Sequence, residues 1–264
     1  MPSAVELKSI FQEGWNLPHR VDNYVRNVAQ GEFQDPASLE AWRECLDAAL
    51  SASGPLAVLD VGTGPGVFAC LYAQMGHVST GLDFSNRMLD EARRRAAELD
   101  LDCCFTFGDA EEPPFEPHTF DVVSSRHLIF NLPRPGVAIR RWTQLLKPGG
   151  KMILIGDEIK ETTPLSLAQR ARRGLHWCLG RLGRGRRPGW SPNADYLKAV
   201  SQCPLFRHGS GAIRAVMEAA GLEDIRSCPT DAIAAARNRP GSVAHRLRLP
   251  AGGPYVLVGS VPKR

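Results

Sequence analysis

Long hydrophobic runs are absent from this sequence of 264 residues. No stretch approaches the roughly 20 consecutive apolar residues that a membrane-spanning helix needs. The first fifteen residues contain Glu6 and Glu13 and lack the apolar segment of a secretory signal. These absences argue against a membrane-spanning protein and predict a cytoplasmic one.

Strong charge of one sign is also lacking. Lysine and arginine number 32 against 28 acidic residues, which gives a net charge of +4. A surplus this small does not by itself indicate a nucleic acid partner. Hydrophobic residues make up 43% and charged residues 23%, which is ordinary for a globular protein and argues against extensive disorder.

Cysteine occurs without a recognisable pairing pattern. The count of seven is odd, and no C-x-x-C pair is present. Neither a disulfide framework nor a zinc site is therefore predicted. We expect buried free thiols in a reducing compartment, at Cys45, Cys70, Cys103, Cys104, Cys178, Cys203 and Cys228.

Strands and helices are predicted to alternate through the middle of the chain. Short apolar runs are separated by helical patterns, such as the one that follows Ser85. This βα alternation is typical of an α/β fold with a doubly wound, mostly parallel sheet. The predicted strands are Leu56–Val61, Val78–Asp83, Cys103–Phe107, Phe120–Ser124, Met152–Gly156, Leu222–Arg226 and Tyr255–Ser260.

Capping residues mark several helix boundaries. Asp35 before Pro36 predicts a helix start, because Asp caps a helix and Pro suits its first position. Ser85 predicts another start. The sequence Lys147–Gly150 predicts the end of a helix over Val137–Leu146.

The first predicted strand ends in a glycine-rich turn, Asp60-Val61-Gly62-Thr63-Gly64-Pro65-Gly66. Glycines at such a place let the backbone approach a ligand at a helix N-terminus. The spacing is G-x-G-x-G, whereas dinucleotide enzymes use G-x-G-x-x-G, and Pro65 lacks an N–H that a pyrophosphate cradle uses. The turn favours a nucleoside ligand without pyrophosphate, and a turn needed only for tight packing is the alternative.

Two acids follow at the ends of the next two strands. Asp83 lies 21 residues after Gly62, where a carboxylate can accept hydrogen bonds from ribose hydroxyls. Asp109 follows the third strand, where it can bind an adenine amino group. As alternatives, Asp83 caps the helix that starts at Ser85, and Asp109 is an ordinary turn residue.

Together these segments resemble the class I S-adenosylmethionine (SAM)-dependent methyltransferases of the small-molecule type. The similarity is close over about residues 55–158 and loose over the rest of the chain. It implies a Rossmann-like, seven-stranded sheet and SAM as the cofactor. The matching segments are Val58–Gly66, Gly81–Ser85 with Met88 and Leu89, Gly108–Ala110, Phe120–Val123 and Leu145–Gly150.

The resemblance also implies roles for single residues. It places Asp60 and Gly62 near the methionyl part of SAM and Asp83 at the ribose. Asp109 and Ala110 are expected to contact the adenine. The other candidates for cofactor binding are Met88, which packs either on the adenine or in the helix core, and Thr63, Gly64, Gly66, Phe84, Arg126 and Arg20.

The loop after the fourth strand, Ser124–Pro135, carries most of the candidate catalytic residues. Loops at the carboxyl end of an open α/β sheet bind ligands. Arg126 is a candidate for pairing with the methionyl carboxylate, or it forms a surface ion pair. His127 is a candidate for orienting the substrate or accepting its proton, or it only hydrogen-bonds the loop. Asn131 is a further polar candidate.

Residues 1–54 are predicted to form a helical lid in front of a SAM-binding domain over residues 55–264. In similar enzymes this segment folds over the cofactor. Tyr24, as a catalytic candidate, and Arg20 are therefore expected to reach the site, or they pack on the core. A lid excludes water and positions the substrates, which both favour this reaction.

A basic stretch lies in the later part of the chain. Residues 159–187 contain eight Lys or Arg and one acid. The stretch is a helical cover over the substrate, a site for an anionic substrate or nucleic acid, or a solvated surface helix. We favour an inserted helical cover over about 159–210, lined in part by His176, Trp177, Trp190 and Tyr196.

The predicted reaction is methylation of a small-molecule acceptor, in specialised metabolism, by in-line displacement at the sulfonium. A small-molecule substrate is the expected partner, in a monomer or homodimer, without membrane, nucleic acid or metal. One alternative keeps SAM but consumes it, as azetidine-2-carboxylate synthases do when they release methylthioadenosine. Further alternatives are an RNA-modifying methyltransferase that uses the basic stretch and an inactive SAM-binding protein.

Overall fold

The structure is a computed structural model, and it describes residues 2–26, 33, 35–158, 194–239 and 253–263. The basic stretch, with His176, Trp177 and Trp190, lies outside the described residues. Within the described ranges, no helix is both long and apolar enough to cross a membrane.

Seven strands form one sheet in the described part of the chain. The sequence predicts their places to within two residues, with β5 as the exception. Their bounds are β1 Ala57–Val61, β2 Val78–Asp83, β3 Cys103–Phe107, β4 Phe120–Arg126, β5 Leu146–Asp157, β6 Glu223–Ser227 and β7 Pro254–Ser260.

Helices precede the sheet and connect its strands. Two predicted starts are confirmed, because Asp35 accepts a hydrogen bond from the N–H of Ser38 and Ser85 accepts one from the N–H of Met88. The bounds are α1 Ala4–Trp15, α2 Pro18–Tyr24, α3 Pro36–Leu50, α4 Val67–Gln74, α5 Asn86–Glu98, α6 Pro135–Leu145, α7 Ala194–Val200, α8 Ser210–Ala219 and α9 Asp231–Asn238.

The strand order is β3-β2-β1-β4-β5-β7-β6. Strands β1 to β5 are parallel, and β7 runs antiparallel to both β5 and β6. The predicted doubly wound, Rossmann-like fold is therefore confirmed. The order changes direction between β1 and β4, and in open α/β sheets ligands bind at the carboxyl ends of the strands beside such a switch point.

Alternate residues of the central strands feed two cores on opposite faces of the sheet. Leu59 and Val61 of β1 pack in one core with Trp142 of α6. Val58, which points to the other face, packs in the second core with Trp42 of α3. Both tryptophans are fully buried. α3 is therefore part of a sheet-facing core.

Strand β5 is longer than the sequence predicts. The segment Lys147–Gly150 does follow the end of α6, but the strand already begins at Leu146. Phe120 of β4 pairs with Leu146, and the next paired residue of β5 is Lys151. The helix-stopping segment therefore bulges out of the ladder. Gly149 within it has a φ of +75°, which glycine adopts without strain.

Candidate functional site

A cavity opens at the carboxyl ends of β1, β2, β3 and β4, with side chains of α1, α2 and α7 covering it. The space between its walls, with the open mouth included, is about 810 Å³. Eleven of the fifteen candidate residues from the sequence line it, namely Tyr24, Gly62, Gly64, Asp83, Phe84, Met88, Asp109, Ala110, Arg126, His127 and Asn131.

The glycine turn after β1 has a left-handed backbone. The φ angle is +71° at Gly62, +53° at Gly64 and +72° at Gly66, a region that costs other residues about 1–2 kcal/mol. A Cβ atom on Gly64 would meet no heavy atom within 4 Å, so this glycine borders open space. A Cβ on Gly66 would lie 2.8 Å from the Cβ of Ala92. Gly66 therefore serves the packing of α4 on α5.

Asp83 joins the glycine turn to the start of α5. Its Oδ2 accepts a hydrogen bond from the N–H of Gly64, and its Oδ1 accepts one from the N–H of Ser85, both at 2.9 Å. Burial raises the pKa of Asp83 to about 6, although the backbone hydrogen bonds favour the charged form. Because the residue also lines the cavity, a structural role and a ligand-binding role are compatible here.

Asp60 lies beneath the turn, outside the lining of the cavity. Only 2% of its surface is exposed, and it accepts a hydrogen bond from the hydroxyl of Thr63 at 2.8 Å. Burial raises the pKa of Asp60 to about 7, against the hydrogen bond from Thr63 and with added repulsion from Asp83. Asp60 and Thr63 thus support the turn from below.

Lys8 is a cavity residue that sequence reasoning missed. Its Nζ lies 2.5 Å from Oδ2 of Asp109 and 2.7 Å from Oε2 of the fully buried Glu111. Burial lowers the pKa of Lys8, but the hydrogen bonds to the two carboxylates outweigh burial and raise it. These contacts fasten α1 to the loop after β3. The available signal was helical spacing, which puts Lys8, Phe11 and Trp15 on one face.

An aromatic wall covers the cavity from the lid side. Trp15 meets Tyr24 and Tyr196 edge to face, and its indole N–H donates to the Tyr196 hydroxyl at 3.1 Å. The buried guanidinium of Arg20 lies 4.0 Å from the ring centre of Tyr196, and burial lowers the pKa of Arg20. Arg20 therefore lies behind the wall, where it links α2 to α7, whereas Tyr24 lines the cavity.

The guanidinium of Arg126 lies among three aromatic rings. Its Cζ is 5.0 Å from the ring centre of Phe33, 5.3 Å from Trp42 and 5.2 Å from Phe68. Cation–π contacts hold such a charge in a partly desolvated place. Arg126 also lines the cavity, so the core brings a positive charge to its wall. This half-buried placement differs from that of a surface ion pair.

His127 follows β4 in a left-handed conformation, with a φ of +56°. Its N–H donates to the carbonyl of Ile155 at 3.0 Å, and its carbonyl accepts from the side-chain amide of Asn131 at 3.3 Å. Its ring Nε2 lies 3.4 Å from Oδ2 of Asp157, whose other oxygen accepts from Arg237. Sequence reasoning missed Asp157 and Arg237, because they are distant from His127 along the chain.

The residues that the structure describes contain neither a metal-binding cluster nor a disulfide. Across the ranges that the structure describes, no group of three His, Cys, Asp or Glu side chains is placed to hold a metal ion. The six cysteines within those ranges are free thiols, and four of them are buried. The prediction of burial is wrong for Cys103, which is partly exposed, and for Cys104, which is exposed on β3. The described part of the chain therefore supplies no further site of these kinds.

The middle of the chain is similar to known proteins. Residues 59–154 match the model of a family described as a methyltransferase domain. This segment is therefore similar to a methyltransferase domain. The matched segment runs from β1 to β5 and includes the glycine turn, Asp83, Asp109 and His127. Two solved methyltransferase structures with a similar fold, phosphoethanolamine N-methyltransferase 2 of Haemonchus contortus and the magnesium protoporphyrin IX methyltransferase of Synechocystis, contain SAM and S-adenosylhomocysteine, respectively.

Curated relatives of the methyltransferase domain differ in the atom that their names specify. The phosphatidylethanolamine N-methyltransferase of Cereibacter sphaeroides is 31% identical over 125 residues, which cover 47% of this chain and 61% of that protein. The ubiquinone biosynthesis O-methyltransferase of Idiomarina loihiensis is 30% identical over 172 residues, which cover 64% and 62%. The chain spans about half the length of the curated relatives it matches.

A solved structure extends the likeness of fold beyond the methyltransferase domain. The [4+2]-cyclase SpnF superposes with a TM-score of 0.59 at 18% identity and covers 96% of each chain. Its name specifies a ring-forming reaction. The fold by itself therefore does not decide the chemistry, which has to be argued from the site.

Proposed function

We propose that this chain uses SAM to methylate a small-molecule acceptor. The observation that carries the proposal is the shared cavity, in which the glycine turn, Asp83 and Asp109 face the same space as His127. A cofactor site beside a candidate base supports group transfer, because proximity removes much of the entropic barrier. The methyltransferase names of the curated relatives support the same reaction.

The residues on one side of the cavity fit the nucleoside part of SAM. The open space beside Gly64 admits a ligand close to the backbone. In the proposal, the carboxylate of Asp83 accepts hydrogen bonds from the ribose hydroxyls. Asp109, held in place by Lys8, faces the adenine amino group, and the buried side chain of Met88 packs on the ring.

The methionyl part of SAM fits beside the end of β4. The positive charge of Arg126 reaches the cavity there and would pair with the methionyl carboxylate. The Cβ of a residue at position 62 would lie 2.7 Å from the side chain of Leu128. The bare glycine at 62 therefore leaves this end of the turn close to the loop that bears His127.

When bound, SAM supplies a methyl group that its positively charged sulfur makes electrophilic. The chain itself positions the acceptor, excludes water and takes up a proton. The aromatic wall of Trp15, Tyr24 and Tyr196 lines the cavity on the lid side, and exclusion of water there would strengthen the electrostatic interactions inside. In the proposal, the side chain of His127 in the lining takes up the proton of the acceptor.

The acceptor is proposed to have an apolar body with one nucleophilic oxygen or nitrogen. Apolar side chains make up much of the lining, among them Phe11, Leu128, Leu132 and Pro133. Such walls select for shape and apolar surface, while a few polar groups fix the orientation. Small phenols, hydroxyquinones and aryl amines have this combination.

The test is product analysis of the purified chain with SAM, with and without a panel of such acceptors. S-adenosylhomocysteine and a methylated acceptor are expected in equal amounts, and only when an acceptor is present. Methylthioadenosine formed from SAM alone would contradict methyl transfer and support the SAM-consuming alternative. No product in any arm, together with measurable SAM binding, would indicate an inactive SAM-binding protein.

The RNA-modifying alternative is an arm of the same experiment. The basic stretch on which it depends lies outside the described residues. Methylation of added RNA, suppressed as salt rises from 50 to 200 mM, would support that alternative. Methylation of the small acceptors alone supports the proposal.

A further inference from the structure

The alternation of β4 directs Arg126 to one face of the sheet. Val122 of β4 packs in the core that contains Trp42, and alternate residues of a strand point to the same face. Arg126 lies four residues after Val122 and pairs in register with Ile155, another member of that core. Arg126 therefore extends from the end of β4 towards the face that α3 and α4 cover.

Three aromatic side chains of that core pack on one another. Phe33 stacks on Trp42 of α3 with ring centres 6.1 Å apart. Phe68 of α4 meets both rings edge to face, at 5.5 Å from Phe33 and 5.2 Å from Trp42. We call Phe33, Trp42 and Phe68 the aromatic cluster. Because all three are buried and each contacts the other two, no ring can turn without displacing its neighbours.

The aromatic cluster surrounds the guanidinium of Arg126, whose Cζ lies within 5.3 Å of all three ring centres. The faces of aromatic rings attract a cation. The rings of Phe and Trp offer no acceptor oxygen or nitrogen and carry no negative charge. They therefore hold the cation in place without using its several N–H donors and without neutralising it.

The same guanidinium belongs to the wall of the cavity. Arg126 lines the cavity together with Gly62 and Gly64, and α4, which carries Phe68, begins directly after the glycine turn. Asp60 is an ionisable neighbour below the turn. Burial raises the pKa of Asp60 to about 7, and the positive charge of Arg126 is among the factors that oppose the rise. Near neutral pH, Asp60 is therefore partly protonated and compensates only part of the charge.

We infer that the aromatic cluster positions Arg126 as the receptor for the methionyl carboxylate, and thereby makes the chain selective for ligands that carry this carboxylate. The inference rests on the proposed use of SAM. Arg126 would touch the carboxylate in a bidentate pair, whereas Phe33, Trp42 and Phe68 are positioning residues that act through it. A planar guanidinium has to be oriented for such a pair, and orientation that exists before binding lowers the entropic cost of binding.

The test compares two ligands that differ only in the carboxylate. One is S-adenosylhomocysteine, and the other is its decarboxylated analogue, which keeps the nucleoside, the sulfur and the amine. Calorimetry gives the ratio of their Kd values. We expect the parent chain to bind S-adenosylhomocysteine about 10- to 100-fold more tightly than the analogue. Arg126→Gln should reduce this preference to about threefold or less, because the amide carries no charge.

Phe68→Leu tests the aromatic cluster, because it removes a ring but keeps an apolar side chain. Trp42 is less suitable, since it also contacts Arg237. In Phe68→Leu the preference for S-adenosylhomocysteine should fall by at least about threefold. In the Arg126→Gln background the same substitution should not change the preference further, because the ring acts through the guanidinium. Phe33→Leu should give the same fall, and it provides the test if Phe68→Leu does not fold.

Phe120→Leu is the matched control. Phe120 is buried like Phe68, but it belongs to the other core, where it packs against Phe115. Its replacement should lower the free energy of unfolding and leave the ratio of Kd values at the parent value. An equal loss of preference in Phe120→Leu and Phe68→Leu would point to general destabilisation and would overturn the inference.

The outcomes for the inference and for the proposed function are separate, because binding is measured without an acceptor. A preference that persists in folded Phe68→Leu or Phe33→Leu would overturn the inference even if the chain methylates an acceptor. Equal Kd values for the two ligands in the parent chain, or an undiminished preference in Arg126→Gln, would overturn it as well. The expected ratios without methylation of any acceptor would contradict methyl transfer and leave the carboxylate receptor in place.

Discussion

Asp83 and Asp60, at the carboxyl end of the sheet, both support the glycine turn, and Asp83 also lines the cavity. Asp83 has to hold the glycine turn through Gly64 and, in the proposal, to bind the ribose. Asp60 supports the same turn through Thr63 while being almost fully buried. Burial raises the pKa of both carboxyls, to about 6 for Asp83 and about 7 for Asp60. Their charge therefore depends on pH near neutrality.

Replacement of Asp83 should weaken cofactor binding. Asp83→Asn removes the charged acceptor and turns an amide N–H towards the backbone N–H of Gly64 or Ser85. We expect the Kd for S-adenosylhomocysteine, measured by calorimetry, to rise by about 10- to 100-fold, the usual loss for a hydrogen bond to a charged group. Asp90→Asn, at an exposed position of α5, is the control. Equal Kd values in the two variants would contradict the ribose role.

The raised pKa of Asp60 predicts an unusual dependence of stability on pH. Between its ordinary value of 3.8 and about 7, the folded chain keeps a proton that the unfolded chain has lost. The free energy of unfolding should therefore fall as pH rises through this window, by up to about 1.4 kcal/mol per unit for this group.

The variant Asp60→Asn isolates this contribution. Urea unfolding at pH 5 and at pH 7 should show a smaller decline in the variant than in the parent chain. Asp22→Asn, at an exposed position of α2, should reproduce the parent decline. If Asp60→Asn and the parent chain decline equally, the carboxyl of Asp60 is already charged at pH 5.

At the scale of elements, some positions of the glycine turn and of the lid serve packing, and other positions face the cavity. Gly64 borders open space, whereas Gly66 makes room for Ala92 at the contact of α4 with α5. In the lid, α1 contributes Lys8 to the loop after β3, and α2 contributes Tyr24 to the aromatic wall. Neighbouring positions in one element therefore carry separable functions.

Two alanine substitutions in the turn should differ in whether they mainly lower stability or mainly weaken ligand binding. Gly66→Ala adds a clash with Ala92 to the strain of its positive φ, so we expect a loss of about 2–4 kcal/mol in unfolding free energy. Gly64→Ala meets no neighbouring atom and should lose only about 1–2 kcal/mol. It should instead weaken binding of S-adenosylhomocysteine by at least about tenfold. Similar binding losses in both variants would contradict this division.

The contact between Lys8 and the loop after β3 should slow cofactor release. Lys8→Met keeps most of the side-chain volume but removes the ion pairs with Asp109 and Glu111, while Glu111 keeps its hydrogen bonds from Arg134. We expect stopped-flow dissociation of S-adenosylhomocysteine to accelerate by about tenfold. The control is Lys198→Met, at an exposed position of α7. Equal rates in both variants would show that α1 does not retain the ligand.

At the scale of the whole molecule, the N-terminal helices pack in different hydrophobic clusters. α1 and α2 contribute to the cavity, whereas α3 packs through Trp42 into one of the two cores that cover the sheet. The sequence predicts residues 1–54 as one lid, and that assignment stays a prediction. The packing favours a lid made of α1 and α2, with α3 as part of the folded body.

Hydrogen exchange can measure this division. Saturation with S-adenosylhomocysteine should slow amide exchange in α1 and α2 by more than tenfold, because the ligand and the aromatic wall order each other. Exchange in α3 should change no more than in α9, its neighbour on the same core. Equal protection of α1, α2 and α3 would support a single lid over residues 1–54.

The sequence by itself determined the order of strands and helices and the glycine turn with Asp83. These features follow from hydrophobic periodicity and helix capping. Both act between residues that are close together in the sequence, so they do not depend on the tertiary arrangement. The tertiary structure alone decided the contacts of Lys8 with Asp109 and of His127 with Asp157, and the aromatic surroundings of Arg126. Each of these joins residues from separate elements. Sheet register and helix packing set such distances, and neither is encoded at any single position of the sequence.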